Sequence, residues 1–232
     1  MNSRQHCARI ALFLCGCAAF LNLYATQGIL QEFAQSFQVS IREAGWSITV
    51  TTLAVALTAP FVSRFTGRFD QRRVIVVAAL LLAVPAGLAA YAGSFTQLLV
   101  WRLVEGMLIP VVFATSVAYI GDRWSGGTVT EVTSLYVAGT VLGGFAGRFV
   151  TGFMTEYVGW REAFALLAGL SLLIGVAIHL LLPANPPLTA PRASGGLSAC
   201  ASCAGGPCWQ PTAWASACCS RKWPPLPTPG ST

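Results

Sequence analysis

Apolar residues run along this chain in long, nearly unbroken blocks. They do not alternate, and they show no single apolar stripe of the kind that marks an element with one wet face. A helix crossing the hydrocarbon core of a bilayer needs about 20 largely apolar residues. Six stretches qualify: 10–30, 44–62, 74–91, 98–120, 132–155 and 163–182. The connectors between them are short, and most carry charge or glycine. Helices satisfy their own backbone polar groups, which lipid cannot do for them. The pattern therefore predicts an all-α membrane protein with six transmembrane helices over 10–182. Residues 1–9 form the N-terminal segment and 183–232 a Pro/Gly/Cys-rich, disordered tail.

Composition agrees and removes other classes. The chain of 232 residues is 55% hydrophobic and 9% charged, with a mean hydropathy of +0.65. Soluble domains carry roughly 25% charged residues, and disorder needs low hydrophobicity with high net charge. The formal charge of +6 sets 14 basic residues against 8 acidic ones; only Lys222 of the basic set is lysine, and no basic run grips phosphates. The implied partner is the lipid bilayer, with no nucleic acid.

The arginines set an orientation. With the N-terminus cytoplasmic, the inner segments hold Arg4, Arg9, Arg64, Arg68, Arg72, Arg73, Arg123, Arg192, Arg221 and Lys222, against Arg42 and Arg161 outside. Positive residues stay inside, so both termini are expected in the cytoplasm and the bundle in the plasma (inner) membrane. Arg4 and Arg9 before an apolar run, with Leu14-Cys15-Gly16-Cys17, also fit a secretory leader. The apolar stretch runs well past Cys17, which favours a retained first span.

After Leu182 the character changes. Pro183, Pro186, Pro187 and Pro191 forbid helix, and five of the eight cysteines follow. Cys200-x-x-Cys203 has ligand-like spacing, but the adjacent Cys218-Cys219 pair and the lack of a nearby histidine fit no zinc geometry. No metal or other cofactor is implied. The composition matches GC-rich DNA read out of frame, so residues from about 185 onward are read as a frameshifted or truncated end.

Ionisable groups inside spans are costly and mark function. The fourth span carries Arg102, Glu105 and Gly106; the fifth carries Arg148. At ~1.5 Å of rise per residue, Glu105 and Arg148 fall at similar depths on antiparallel neighbours, which predicts a Glu105–Arg148 contact. A static ion pair and a gating or proton-coupling role both fit. Asn22, Tyr24, Thr26 and Gln27 crowd the outer half of the first span, to line a substrate path or to bond helix to helix. The threonines of the second span are expected to back-bond to their own helix. Gly139, Gly143, Gly144 and Gly147 form a stripe that lets another backbone approach. No nucleophile–base pair or phosphate-cradling loop is present, so the chain is not expected to be an enzyme.

Four segments together resemble the N-terminal half of a major facilitator superfamily (MFS) transporter, of the sugar-efflux and drug/proton antiporter-like branch. The loop Ser63-Arg64-Phe65-Thr66-Gly67-Arg68-Phe69-Asp70-Gln71-Arg72-Arg73 is similar to the G-x-x-x-D-R-x-G-R-R signature. Arg102-Leu-Val-Glu105-Gly106 resembles the R-x-x-x-G motif of the fourth span. Gly139-Thr-Val-Leu-Gly143-Gly144-Phe-Ala-Gly147-Arg148 resembles the antiporter motif of the fifth, and Gly159-Trp160-Arg161-Glu162-Ala163-Phe164 the G-W-R-x-x-F start of the sixth.

The resemblance implies two inverted three-helix repeats, secondary transport of a small solute by proton-coupled efflux, and Arg102 as a proton-coupling residue. Gly67 stands where the loop signature has its latching aspartate, and Asp70 where it has glycine. Gly144 replaces the proline of the antiporter motif, and Arg148 its last glycine. The chain holds one six-helix half. The expectation is a half-length protein, inactive alone, whose cavity face leaves Arg102 or Glu105 unpaired or facing lipid unless a second half joins as homodimer or separate chain. The alternative is a non-transport membrane module.

Overall fold

The computed structural model describes residues 3–65 and 70–183, with side chains over 5–62 and 70–183. Six helical passes are long and apolar enough to cross a membrane: Gln5–Gly28, Ile41–Val62, Gln71–Ala90, Phe95–Arg123, Gly127–Tyr157 and Trp160–Leu181. They match the six apolar blocks, extended by a turn or so into the polar flanks.

Three passes are interrupted. The first is α1 (Ser3–Tyr24), then a 3-10 turn (Ala25–Gly28), then α2 (Leu30–Phe37). The tighter turn changes the hydrogen-bond pattern where α1 ends, and side chains from other helices add donors there. A short turn, α3 (Ile41–Ala44), leads into α4 (Trp46–Phe65) and starts on a capping box: Ser40 Oγ accepts from Glu43 N while Glu43 Oε2 accepts from Ser40 N. The third pass is α5 (Gln71–Leu81) and α6 (Ala83–Ala90). Pro85 causes that break, since it has no N–H for the Leu81 carbonyl and its ring crowds that oxygen. The remaining passes are α7 (Phe95–Arg123), α8 (Gly127–Tyr157) and α9 (Trp160–Leu181).

Helix neighbours reveal the internal repeat. α1 packs on α8 and α4 on α7; α1 also packs on α9, and α5 on α7; α6 packs on α9. Exchange the first pass with the fourth, the second with the fifth and the third with the sixth, and these pairings map onto one another, as inverted three-helix repeats require.

The seams are set by glycine. A Cβ at Gly139, Gly143 or Gly147 would collide with the carbonyl oxygens of Phe13, Cys17 and Leu21 in turn, so α8 lies backbone to backbone along α1. From the other side, a Cβ at Gly16 would come within 2.6 Å of Tyr136 O. In the related α4–α7 seam, a Cβ at Gly106 would lie 2.5 Å from Thr51 O and 2.8 Å from Ala54 Cβ. Without a hydrophobic drive inside lipid, such close packing is what holds helices together. Thr51 and Thr52 of α4 bond the carbonyls of Ser47 and Ile48 on their own helix.

Polar contacts fasten both ends of the bundle. At the end carrying Asp70, that residue caps α5 through Arg72 N (3.2 Å), and Arg72 reaches across to the last carbonyls of α9, Leu182 O (2.6 Å) and His179 O (3.2 Å). Arg9 of α1 pairs with Glu131 of α8 at 2.9 Å. At the opposite end Trp160 donates Nε1–H to Ser36 Oγ (2.9 Å) and meets Phe33, Phe37 and Phe164 in one aromatic cluster. Arg161 stacks on Trp160 and donates to Ala92 O beyond α6. The loop positions Gly67 and Arg68, and the tail from 184, lie outside the described residues.

Candidate functional site

The candidate site is built on the broken turn of the first pass. Arg102 and Glu105 stand three residues apart on α7, on one helix face. Both are fully buried, and Arg102 donates Nη1–H to Glu105 Oε2 at 2.6 Å. The other end of the guanidinium points at the break: Nη2 lies 3.2 Å from Asn22 O, 3.4 Å from Leu23 O and 3.4 Å from Thr26 Oγ1. From the opposite side Thr151 of α8 shares its hydroxyl proton between Ala25 O and Gly147 O, each at 2.7 Å. Donors from two helices thus reach the main-chain oxygens at the break. The match is incomplete. Arg102 Nε and Glu105 Oε1 are buried without a hydrogen-bond partner, an arrangement that costs free energy and marks the pair as more than filler.

The expected Glu105–Arg148 contact does not form. Glu105 pairs with Arg102 on its own helix, and Arg148 lies over the Tyr24 ring, 4.3 Å from its centroid. Depth along the axis was the wrong criterion by itself. The glycine stripe points α8 at α1, which turns Arg148 toward Tyr24, and the spacing of Arg102 and Glu105 already placed them within reach of each other. The expectation that Arg102 or Glu105 would be unpaired or lipid-facing is likewise overturned, because both are buried inside the half-bundle itself.

The other candidates divide. Asn22 is buried and bonds helix to helix, with Nδ2 donating to Ala18 O and to Ser171 Oγ of α9, each at 2.9 Å. Tyr24 is half-buried and Gln27 exposed on the turn. Gly144 has its own task, since a Cβ there would lie 2.8 Å from Tyr24 Cδ2. Asp70 pairs with Arg73 at 3.5 Å, well away from this site in sequence and at an end of the bundle. Thr151 and Ser171 are additions that the sequence did not single out. Thr151 continues the stripe of Gly139, Gly143 and Gly147 at the same four-residue interval, which was the available signal. No group of His, Cys, Asp and Glu suited to a metal ion occurs among the described residues.

A six-pass bundle of inverted repeats, with an arginine clamped at a broken first helix, has the architecture of half a secondary transporter. The family model described as Major Facilitator Superfamily matches residues 12–224, and the chain belongs to that family. It is 28% identical over 75% of its length to an uncharacterized MFS-type transporter, YybF, of Bacillus subtilis, covering 43% of that protein. It is 27% identical over 75% of its length to the inner membrane transport protein YnfM of Escherichia coli, covering 42%. It is also 27% identical over 68% of its length to the purine ribonucleoside efflux pump NepI of Escherichia coli, covering 40%. The chain therefore spans about two fifths of the length of these curated relatives.

Among solved structures, a bacterial homolog to the human lysosomal transporter Spinster, inward-facing and unoccupied, aligns with a TM-score of 0.71 at 17% identity. That alignment covers 85% of this chain and 47% of the other. The proton:xylose symporter XylE aligns with a TM-score of 0.69 at 15% identity, covering 77% and 45%. These two likenesses speak to the fold.

Proposed function

We propose that this chain supplies the N-terminal half of a secondary active transporter that moves a small solute in proton-coupled efflux across the inner membrane, both termini cytoplasmic. A second six-helix half, whatever chain supplies it, closes the solute path. The observation that carries the coupling is the buried Arg102–Glu105 pair at 2.6 Å, wedged against the break in the first pass. A proton taken up by Glu105 would neutralise the partner of Arg102 and free the guanidinium to change its grip on Asn22 O and Leu23 O. Proton occupancy and the conformation of the turn are then linked through one residue. YnfM is named an inner membrane transport protein and NepI an efflux pump, which supports location and direction. Gln27, exposed on the same turn, is assigned to the solute-facing side.

Solute-dependent proton movement in vesicles that hold the chain together with a complementary second six-helix half tests this. Flux should be abolished by Arg102→Ala and uncoupled from the pH gradient by Glu105→Gln. Flux that both variants leave unchanged overturns the coupling assignment. Cysteine cross-linking across the exposed faces of α4 and α8 in native membranes should capture a second six-helix half. Recovery of the chain solely as an uncross-linked monomer overturns that partner.

A further inference from the structure

Arg148 stands where a charge is hard to keep. α8 has 31 residues, about 46 Å at ~1.5 Å per residue, and the apolar layer is about 30 Å thick. Arg148 lies about 9 Å beyond the midpoint of that helix, so a centred α8 holds it within the layer. Arginines at such depth face a bundle interior or a water-filled cavity and find a counter-charge. Arg102 does both. Arg148 lacks the counter-charge: it is exposed, and among the described residues no carboxylate pairs with it. Its guanidinium instead rests on the Tyr24 ring at 4.3 Å, a contact that orients the planar group but does not neutralise it.

The surroundings are aromatic. The Tyr24 ring is 5.9 Å from Phe20, and Phe20 is 6.4 Å from Phe113 of α7, centroid to centroid. Phe113 is 42% exposed. One face, formed by α1 between α7 and α8, therefore offers a single uncompensated cation beside a row of flat rings. Arg102 and Glu105 cancel each other nearby, so the sign of the field at this face is positive. A guanidinium fork binds carboxylate or phosphate oxygens with two parallel hydrogen bonds. A cationic solute meets repulsion here, and a neutral one leaves the arginine unpaired.

We propose that this face selects an aromatic organic anion, its charged oxygens on the Arg148 guanidinium and its ring against Tyr24 and Phe20. The proposal names the solute class for the transporter reading above and rests on it. Gly144 serves the same arrangement, since a Cβ there would push Tyr24 out from under Arg148.

Equilibrium binding of radiolabelled benzoate to the full chain in lipid nanodiscs tests the assignment without requiring transport. Phenyl phosphate should compete, and benzamide and benzylamine should not. Arg148→Gln should weaken benzoate binding about tenfold or more, and Arg148→Lys should weaken it less, because charge survives while the fork is lost. Gly144→Ala, which leaves the charge in place, should also weaken it. Helical content by circular dichroism establishes that each variant is folded. Absence of saturable benzoate binding to the folded chain, equal competition by benzamide, or undiminished binding by folded Arg148→Gln would each overturn the proposal. Benzoate binding to the chain, with no flux in vesicles that also hold a second six-helix half, supports it and sinks the transport reading alone. Flux of a neutral solute that ignores Arg148→Gln sinks this inference and leaves transport standing.

Discussion

Arg102 and Arg148 lie at comparable levels of two antiparallel helices, and each reaches the same short stretch of the first pass. Their surroundings differ in every other respect. Arg102 is fully buried, bonded to a carboxylate, and holds main-chain oxygens of the break. Arg148 is exposed and rests on an aromatic ring with no acidic partner among the described residues. A charge in lipid must be matched or hydrated. This half-bundle matches one arginine internally and leaves the other to whatever enters the face it shares with Tyr24. The contrast separates a residue that holds the machinery together from one that is free to meet a solute.

Substitutions that leave one member of the buried pair should show the contrast most strongly. Glu105→Leu strands the Arg102 charge and should cost about 3–5 kcal/mol of stability, read from denaturant unfolding in mixed micelles. The double variant Arg102→Met/Glu105→Leu should recover much of that loss, and a double variant no better than the single one would argue against an ion pair. Next comes the seam that turns the two arginines apart. Gly143→Ala drives a methyl group into the Cys17 carbonyl and should cost about 1–3 kcal/mol by the same measurement. Thr151→Val removes the second donor to the break and should cost about 1 kcal/mol, visible also as faster amide exchange over residues 25–28. Arg148→Gln should fall within about 0.5 kcal/mol of wild type while removing the anion preference. A large loss of stability there would place Arg148 in the same class as Arg102 and erase the distinction.

Most of the fold was legible in the sequence because lipid imposes a blunt rule. A span must be long and apolar, and 98–120 and 163–182 could hardly be anything else. The breaks were harder. Pro85 announces one, but Ala25–Gly28 contains a single glycine and is stabilised from outside by Arg102 and Thr151, contacts that no local pattern encodes. The glycine stripe revealed that α8 would approach another helix, though not that the partner would be α1. The Glu105–Arg148 expectation failed for the same reason. Depth follows from counting residues, whereas the direction a side chain takes around a helix depends on which neighbour that helix faces. The tie from Arg72 to the end of α9 escaped as well, because its acceptors are main-chain oxygens and any residue has those.

The kink in the first pass has a mechanical consequence. Main-chain oxygens there are held by one donor from the fourth pass and one from the fifth, so the first pass cannot straighten or twist at that point without letting go of both. Leverage applied to either helix is therefore delivered to a single turn of backbone, making three of the six passes one lever with a shared fulcrum.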